Sequence, residues 1–394
     1  MTVSATRPAG SVHGWVAHLR AGGTTPWLEW TDPGADHEPA GRGVPGAQQL
    51  ELLRRINLAR QSGPRPGIDH DRELGPLAER VLAAPAAGRG KADLPLVGVA
   101  SSAFGAQPVD PASVGPHELL RVASTLLADD LVALGPDPVR RSLARPWRRR
   151  FRLVGDPVVV AAAREHLLGR GRPEGGPRPF VVAVGGPLDD LLAHTWTQRC
   201  FEHGSRPWGD WLRFWRERDQ LPARVDLDEC VRRWGGRRPF VRIVTDLDLL
   251  PGHVGVRRLP RVRVPGADQA ELARRIAAVV GIRVPVADRP ALMRTLQRRM
   301  PDSGVAPVAV PAAEREWVAS SAERLARRLT RAGYPVVGDL ADLAPRAAAD
   351  PTGPPGPARV GRVGRVDGQQ VLDLAIRMIV DPGWRTERER SVER

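Results

Sequence analysis

At 394 residues with 42% hydrophobic content, the chain is long enough to bury a large core, and two domains are expected. No apolar run approaches the roughly 20 residues of a membrane span, residues 1–14 lack the apolar stretch of a signal peptide, and two cysteines (Cys200, Cys230) are too few for a disulfide framework, so a cytoplasmic location with reduced thiols is expected. The formal net charge is +14 and every fixed positive charge but Lys91 is arginine, a bias that GC-rich codons favour and that makes the surface attractive to phosphate, sulfate and carboxylate groups.

Residues 1–12 are expected to form a disordered tail. Residues 13–30 carry Trp15, Trp27 and Trp30 around Gly22-Gly23-Thr24-Thr25-Pro26. After a Gly/Pro/Asp loop, Leu50, Leu52, Leu53, Ile56 and Leu58 form the apolar side of a helix. A second helix is predicted around 74–84. The only lysine follows, in Gly88-Arg89-Gly90-Lys91-Ala92. Pro85 and Ala92 stand where a Walker-type phosphate loop has glycine and Ser or Thr, so this is not such a loop. A third helix is predicted over 116–134, with Pro116 suited to its first turn and Gly135 to its stop. Residues 13–145 therefore form a mainly helical, loop-rich N-terminal region.

Past Arg145-Pro146-Trp147-Arg148-Arg149-Arg150 the pattern changes to alternating strands and helices. Strands are predicted at 151–154, 179–184 and 240–245, with 261–264 and 335–337 as short candidates. Helices are predicted at 157–168, 188–201, 208–218, 226–234, 269–280 and 314–332. The run at 179–184 is apolar without alternation, as in a strand covered on both faces. This order defines the fold class as α/β, with a parallel sheet in residues 146–345. A Pro/Gly/Arg linker occupies 346–365. Residues 366–394 hold an apolar helix from Asp367 to Val380, which either docks on the core or binds a protein partner, and a charged tail.

Three segments carry a resemblance. The first is Val181-Val182-Ala183-Val184-Gly185-Gly186-Pro187-Leu188 with the helix through Trp196-Thr197-Gln198. The second is Val264-Pro265-Gly266-Ala267 with the helix reaching Gly281. The third runs from Glu316-Trp317-Val318 to Gly338-Asp339-Leu340. Over about residues 150–345 the chain resembles the sulfotransferase-like P-loop proteins common in actinobacteria. The resemblance implies a P-loop-like sheet domain and a cofactor of the 3′-phosphoadenosine 5′-phosphosulfate or adenosine 3′,5′-bisphosphate type. It lies mostly in scaffold positions. The family's Lys-[Ser/Thr]-Gly-Thr-Thr loop finds its nearest letters in Ala21-Gly22-Gly23-Thr24-Thr25, where Ala21 replaces the lysine. A second candidate, Val154-Gly155-Asp156-Pro157, is a strand-to-helix turn with one glycine and an aspartate, which would repel a phosphate. The arginine that anchors the 3′ phosphate aligns with Gly186. The implied cofactor-binding residues are thus Gly185 and Gly186, then Gly22, Gly23 and Thr24, with ordinary sulfuryl transfer not expected and no catalytic residue assigned.

Other constellations are weaker. His194, Cys200 and His203 with Cys230 lack the paired spacing of a zinc site, so no metal is assigned. No Gly-x-Ser-x-Gly ties a serine to a histidine. Trp196, Trp208, Trp211, Trp215 and Trp234 interleave with arginines, a pattern that suits either core packing or base stacking. Arg148, Arg149 and Arg150 lie in the densest positive cluster, which runs from Arg140 to Arg152 and suits a solvated linker, nucleic acid or an anionic membrane surface. The sequence therefore points to a sulfotransferase-like protein with eroded nucleotide motifs and an anion-binding or interaction role, with a nucleic-acid-binding or protein-interaction module as the alternative.

Overall fold

The computed structural model describes residues 11–31, 43–62, 70–86, 109–138, 145, 147–176, 179–235, 240–346 and 366–385. Lys91, the 1–10 tail, most of the 346–365 linker and the last nine residues lie outside them. In chain order the helices and strands are α1 (Val12–Arg20), α2 (Trp27–Trp30), α3 (Ala47–Ser62), α4 (His70–Ala83), α5 (Pro116–Leu134), β1 (Phe151–Gly155), α6 (Pro157–Gly169), β2 (Phe180–Val184), α7 (Leu188–Cys200), α8 (Trp208–Arg216), α9 (Leu227–Gly235), β3 (Val241–Val244), α10 (Leu250–His253), α11 (Ala267–Arg283), α12 (Arg289–Arg299), α13 (Arg315–Ala332), β4 (Val336–Val337) and α14 (Gly368–Val380). Among the described residues no helix is long and apolar enough to cross a membrane.

The chain forms two compact units. The first gathers residues 1–135, 275–301 and 367–394, and the second 136–274 and 302–366. Residues 275–301 and the C-terminal helix thus join the N-terminal helices, where the sequence placed 275–301 with the sheet and 366–394 on its own.

In the first unit, α14 packs on α5 and α3. Its buried side chains are Val371, Leu372, Leu374, Ala375, Ile376, Met378 and Ile379. The apolar face offered by the sequence to either core or partner is spent on the chain's own core. Helix α5 keeps the predicted limits because Pro116 presets the first turn and Gly135, at φ 75°, ends it. Two expectations are corrected. Leu58, placed on the inward side of α3, is 46% exposed, because the sixteen-residue helix turns it out of the buried stripe of Leu50, Leu52, Leu53 and Ile56. Ser11 and Val12, placed in the disordered tail, are ordered: Val12 opens α1, and the Ser11 side chain accepts from the backbone N–H of Gly14 at 3.0 Å and caps the helix.

The second unit is built on a four-stranded parallel sheet in the order β1-β2-β3-β4. Strand order follows chain order, so these strands have no reversal of the kind that opens a crevice in doubly wound sheets. Phe151, Leu153, Phe180, Val182, Val184 and Val244 meet Val159, Val160, Ala163 and Leu167 of α6 in one buried cluster. Helix α9 runs along β1, β2 and β3. All five residues of β2 are buried, as its unbroken apolar run requires. The segment 261–264 forms no strand. Its alternation arises because Val262 packs on the core cluster while Arg261 and Arg263 stay exposed. Helix α11 continues past its predicted stop at Gly281, with the Val284 N–H still donating to the Val280 carbonyl at 2.9 Å.

Candidate functional site

Ligands of parallel sheets bind at the carboxyl ends of the strands. Here those ends are β1 at Gly155, β2 at Gly185 and Gly186, and β3 at Thr245. Each is closed by aspartates from this chain. After β1, Oδ1 of Asp156 accepts the N–H groups of Val158 and Val159 at 2.9 and 3.1 Å. These are first-turn donors of α6, which a bound phosphate would otherwise use, and Pro157 has no N–H to offer. Oδ2 of Asp156 accepts from Nδ1 of His194 at 2.7 Å. Asp156 is 4% exposed.

After β2, the Gly185 N–H donates to the Val244 carbonyl at 2.7 Å, and a Cβ there would meet Leu227 at 2.9 Å and Thr245 at 3.3 Å. Gly185 is a packing position. Gly186 faces open space. The first turn of α7 carries Asp189 and Asp190; Arg346 pairs with Asp190 at 3.0 Å and donates its N–H to Asp189 at 3.3 Å. After β3, the Thr245 hydroxyl reaches the Asp339 carbonyl at 2.9 Å and Asp342 at 3.0 Å, while Asp339 and Asp342 cap the turn Leu340–Leu343 reciprocally. This edge presents carboxylates, and their charge opposes a phosphate.

His194 lends Nδ1 to Asp156 and keeps 11% of its side-chain surface open. Neither cysteine is primed as a nucleophile. Cys230, beside the Gly155 backbone, has its thiol pushed up to about 11, first by burial and then by Asp226, and it donates to the Ala223 carbonyl at 3.0 Å. Cys200 is fully buried, which pushes its thiol well above the ordinary value. His203 lies exposed in the turn after α7. Among the described residues no group of three or more His, Cys, Asp and Glu is placed to hold a metal.

The loop with Gly22, Gly23 and Thr24 is a helix C-terminus. The Gly23 N–H donates to the His18 carbonyl at 2.8 Å and the Gly22 N–H to the Leu19 carbonyl at 3.0 Å, closing α1 in a Schellman motif with Gly22 at φ 86°. Its carbonyls point to side-chain donors. Asn57 donates to Leu19 and Gly23, both at 2.9 Å, and Arg54 donates to Thr24 at 3.3 Å. A helix C-terminus carries partial negative charge, the wrong sign for a phosphate.

Trp196, Trp208 and Trp211 are core, not a stacking platform, whereas Trp215 is half-buried. Trp196, Trp208 and Trp211 are at most 5% exposed, and their rings follow one another at 5.5 and 5.7 Å. Trp317 is half-buried, beside the inward stripe of Val318, Leu325 and Leu329 on α13. A cavity of about 440 Å³, which the sequence gave no sign of, is lined by Trp215, Asp219, Asp226, Glu229, Arg324 and Arg328. Its charges are matched, Arg324 with Asp219 and Arg328 with Asp226, each at 2.6 Å, and Glu229 with Arg232, which lies outside the lining.

No family model, no curated protein and no solved structure matches this chain.

Proposed function

We propose that this chain is a sulfotransferase-like, P-loop-like protein that acts by binding and does not carry out ordinary sulfuryl transfer. The observation that carries this reading is Asp156. Its carboxylate occupies the seat at the start of α6 where a 5′ phosphosulfate would be held, and satisfies both amides there. The likeness of residues 150–345 to the sulfotransferase scaffold and the parallel α/β order support the family part. The aspartates at all three strand ends support the loss of the nucleotide.

The test is a thermal-shift titration with adenosine 3′,5′-bisphosphate, with ATP and sulfate as controls. The native chain should show no saturable shift beyond the sulfate control. Asp156→Gly should be less stable, and sulfate should restore more stability to it than to the native chain, because the freed amides take the anion. A selective, saturating shift of the native chain by the bisphosphate would overturn the proposal, since a ligand held by the native state alone must stabilise it.

A further inference from the structure

At the amino edge of the same sheet the charge is reversed. Residues 147–150 lead into β1, and Trp147, Arg148, Arg149 and Arg150 are all exposed, the indole by 79%. A second basic stretch follows α10. Val256, Leu259 and Val262 pack on the sheet core, which turns Arg257, Arg258 and Arg261 outward.

Arg172 joins the two stretches. One end of its guanidinium bonds the Val254 carbonyl and the other the Arg149 carbonyl at 3.4 Å. Its carbon CZ lies 5.6 Å from the Phe151 ring centre, and that of Arg149 lies 4.4 Å from the Phe180 ring centre, so aromatic faces fix both side chains. Burial lowers the pKa of Arg172, and so do Arg148 and Arg149, which records the crowding of positive charge. The carboxylates nearby are occupied: Glu174 by Arg164 at 2.8 Å, and Asp302 by Arg263 at 2.7 Å. Among the described residues Arg148, Arg149, Arg150, Arg257, Arg258 and Arg261 form no ion pair.

Leaving so many arginines uncompensated on one face costs repulsion, which a polyanion would relieve. We propose that this face binds single-stranded nucleic acid, with the arginine forks on successive phosphates and a base stacked on Trp147. Guanidinium forks match phosphate oxygens bidentately, and an exposed indole accepts any base. Arginine alone would also be drawn to an anionic bilayer surface. The exposed indole set among the forks favours a strand, whose bases it can stack, while insertion into a bilayer would call for several apolar side chains. The inference rests on reading the chain as a binding protein. The two fail separately: nucleotide-selective stabilisation removes that reading, and loss of oligonucleotide binding removes this one.

The experiment uses the full chain and a fluorescently labelled 20-nucleotide single strand, followed by anisotropy. Raising NaCl from 50 to 200 mM should weaken binding about 100-fold, as expected for roughly five phosphates at a salt slope of about −0.7 each. Arg148→Glu with Arg149→Glu, and separately Arg257→Glu with Arg258→Glu, should each weaken it at least about tenfold. Trp147→Ala should cost about tenfold. The control pair Arg315→Glu with Arg331→Glu, an equal charge change on α13, should cost less than about threefold. Absence of binding at 50 mM NaCl would overturn the proposal. So would a control pair as damaging as the face pairs, or capture by phosphatidylserine vesicles in place of the strand.

Discussion

The carboxylate of Asp156 and the imidazole of His194 meet at 2.7 Å although 38 residues separate them in the chain. The contact joins the first turn of α6 to the middle of α7 at the carboxyl end of the sheet. Asp156 thereby satisfies two backbone amides and one ring nitrogen with two oxygens. Asp156→Ala removes a helix cap and leaves buried donors without an acceptor, a loss of about 3 kcal/mol in urea denaturation. Asp156→Asn retains an acceptor for the amides, and its side-chain N–H donates to Nδ1 instead. It should cost about 1 kcal/mol and move the His194 proton to Nε2, visible in the ring nitrogen chemical shifts. Equal losses for the two variants would mean that the hydrogen bonds do not hold this turn.

The turn also depends on the absence of one carbon atom. Gly155 stands at φ 96°, and a Cβ there would lie 2.1 Å from the Val184 carbonyl oxygen, a backbone atom of the neighbouring strand. Gly155→Ala must part β1 from β2 and should cost more than about 3 kcal/mol. Gly209→Ala, on α8 with open space around it and ordinary helical backbone, should stay within about 1 kcal/mol. Thermal or urea unfolding of the two variants separates them, and comparable losses would contradict the geometry at Gly155.

These contrasts show where the sequence was legible. The apolar run at 180–184, Pro116 and Gly135 around α5, and Gly333 at φ 66° after α13 state their structure locally, so those elements fall where expected. Helix α12 escaped because arginines interrupt its apolar Leu292, Met293 and Leu296. The spacing of Trp208, Trp211 and Trp215 marks one helix face, but whether that face meets core or ligand is decided by tertiary packing. Asp156 was visible as a poor phosphate seat; its partner His194 was not, because only the fold brings α7 there. The basic face was half visible for the same reason: residues 148–150 form a run, whereas 257–261 reach them only through Arg172.

Stability should fall at alkaline pH through Cys230. Its thiol is pushed from an ordinary value of 9.0 up to about 11, chiefly by burial. The folded state therefore holds a proton that the unfolded state releases. The contribution is complete below about pH 9 and is lost as pH rises towards 11. By pH 10.5 the loss amounts to about 2 kcal/mol, from about 1.4 kcal/mol per pKa unit. Urea denaturation of the native chain and Cys230→Ala at pH 8 and pH 10.5 isolates it, since other titrating groups are common to both. The native chain should lose about 2 kcal/mol more than the variant over that interval. Parallel losses would show that the thiol is open to water.

The C-terminal helix provides the sharpest test of the first unit. Asp367 caps α14 through the Gln369 N–H at 2.9 Å, and Trp384 closes its end with Nε1 on the Met378 carbonyl at 2.7 Å. Leu374 is fully buried, so Leu374→Ala leaves a cavity and should cost about 2–5 kcal/mol. The loss belongs to one unit, because α14 packs on α5 and α3. Hydrogen exchange read by mass spectrometry should therefore show faster exchange across 47–62 and 116–134, with β1 and β2 unchanged. Deleting residues 366–394 should go further and remove protection from α5 altogether, since Leu119, Leu120, Leu127 and Leu131 depend on burial for their stability. A deletion that left α5 fully protected would mean that α14 adds nothing to the core, and would return its apolar face to the role of a partner-binding helix.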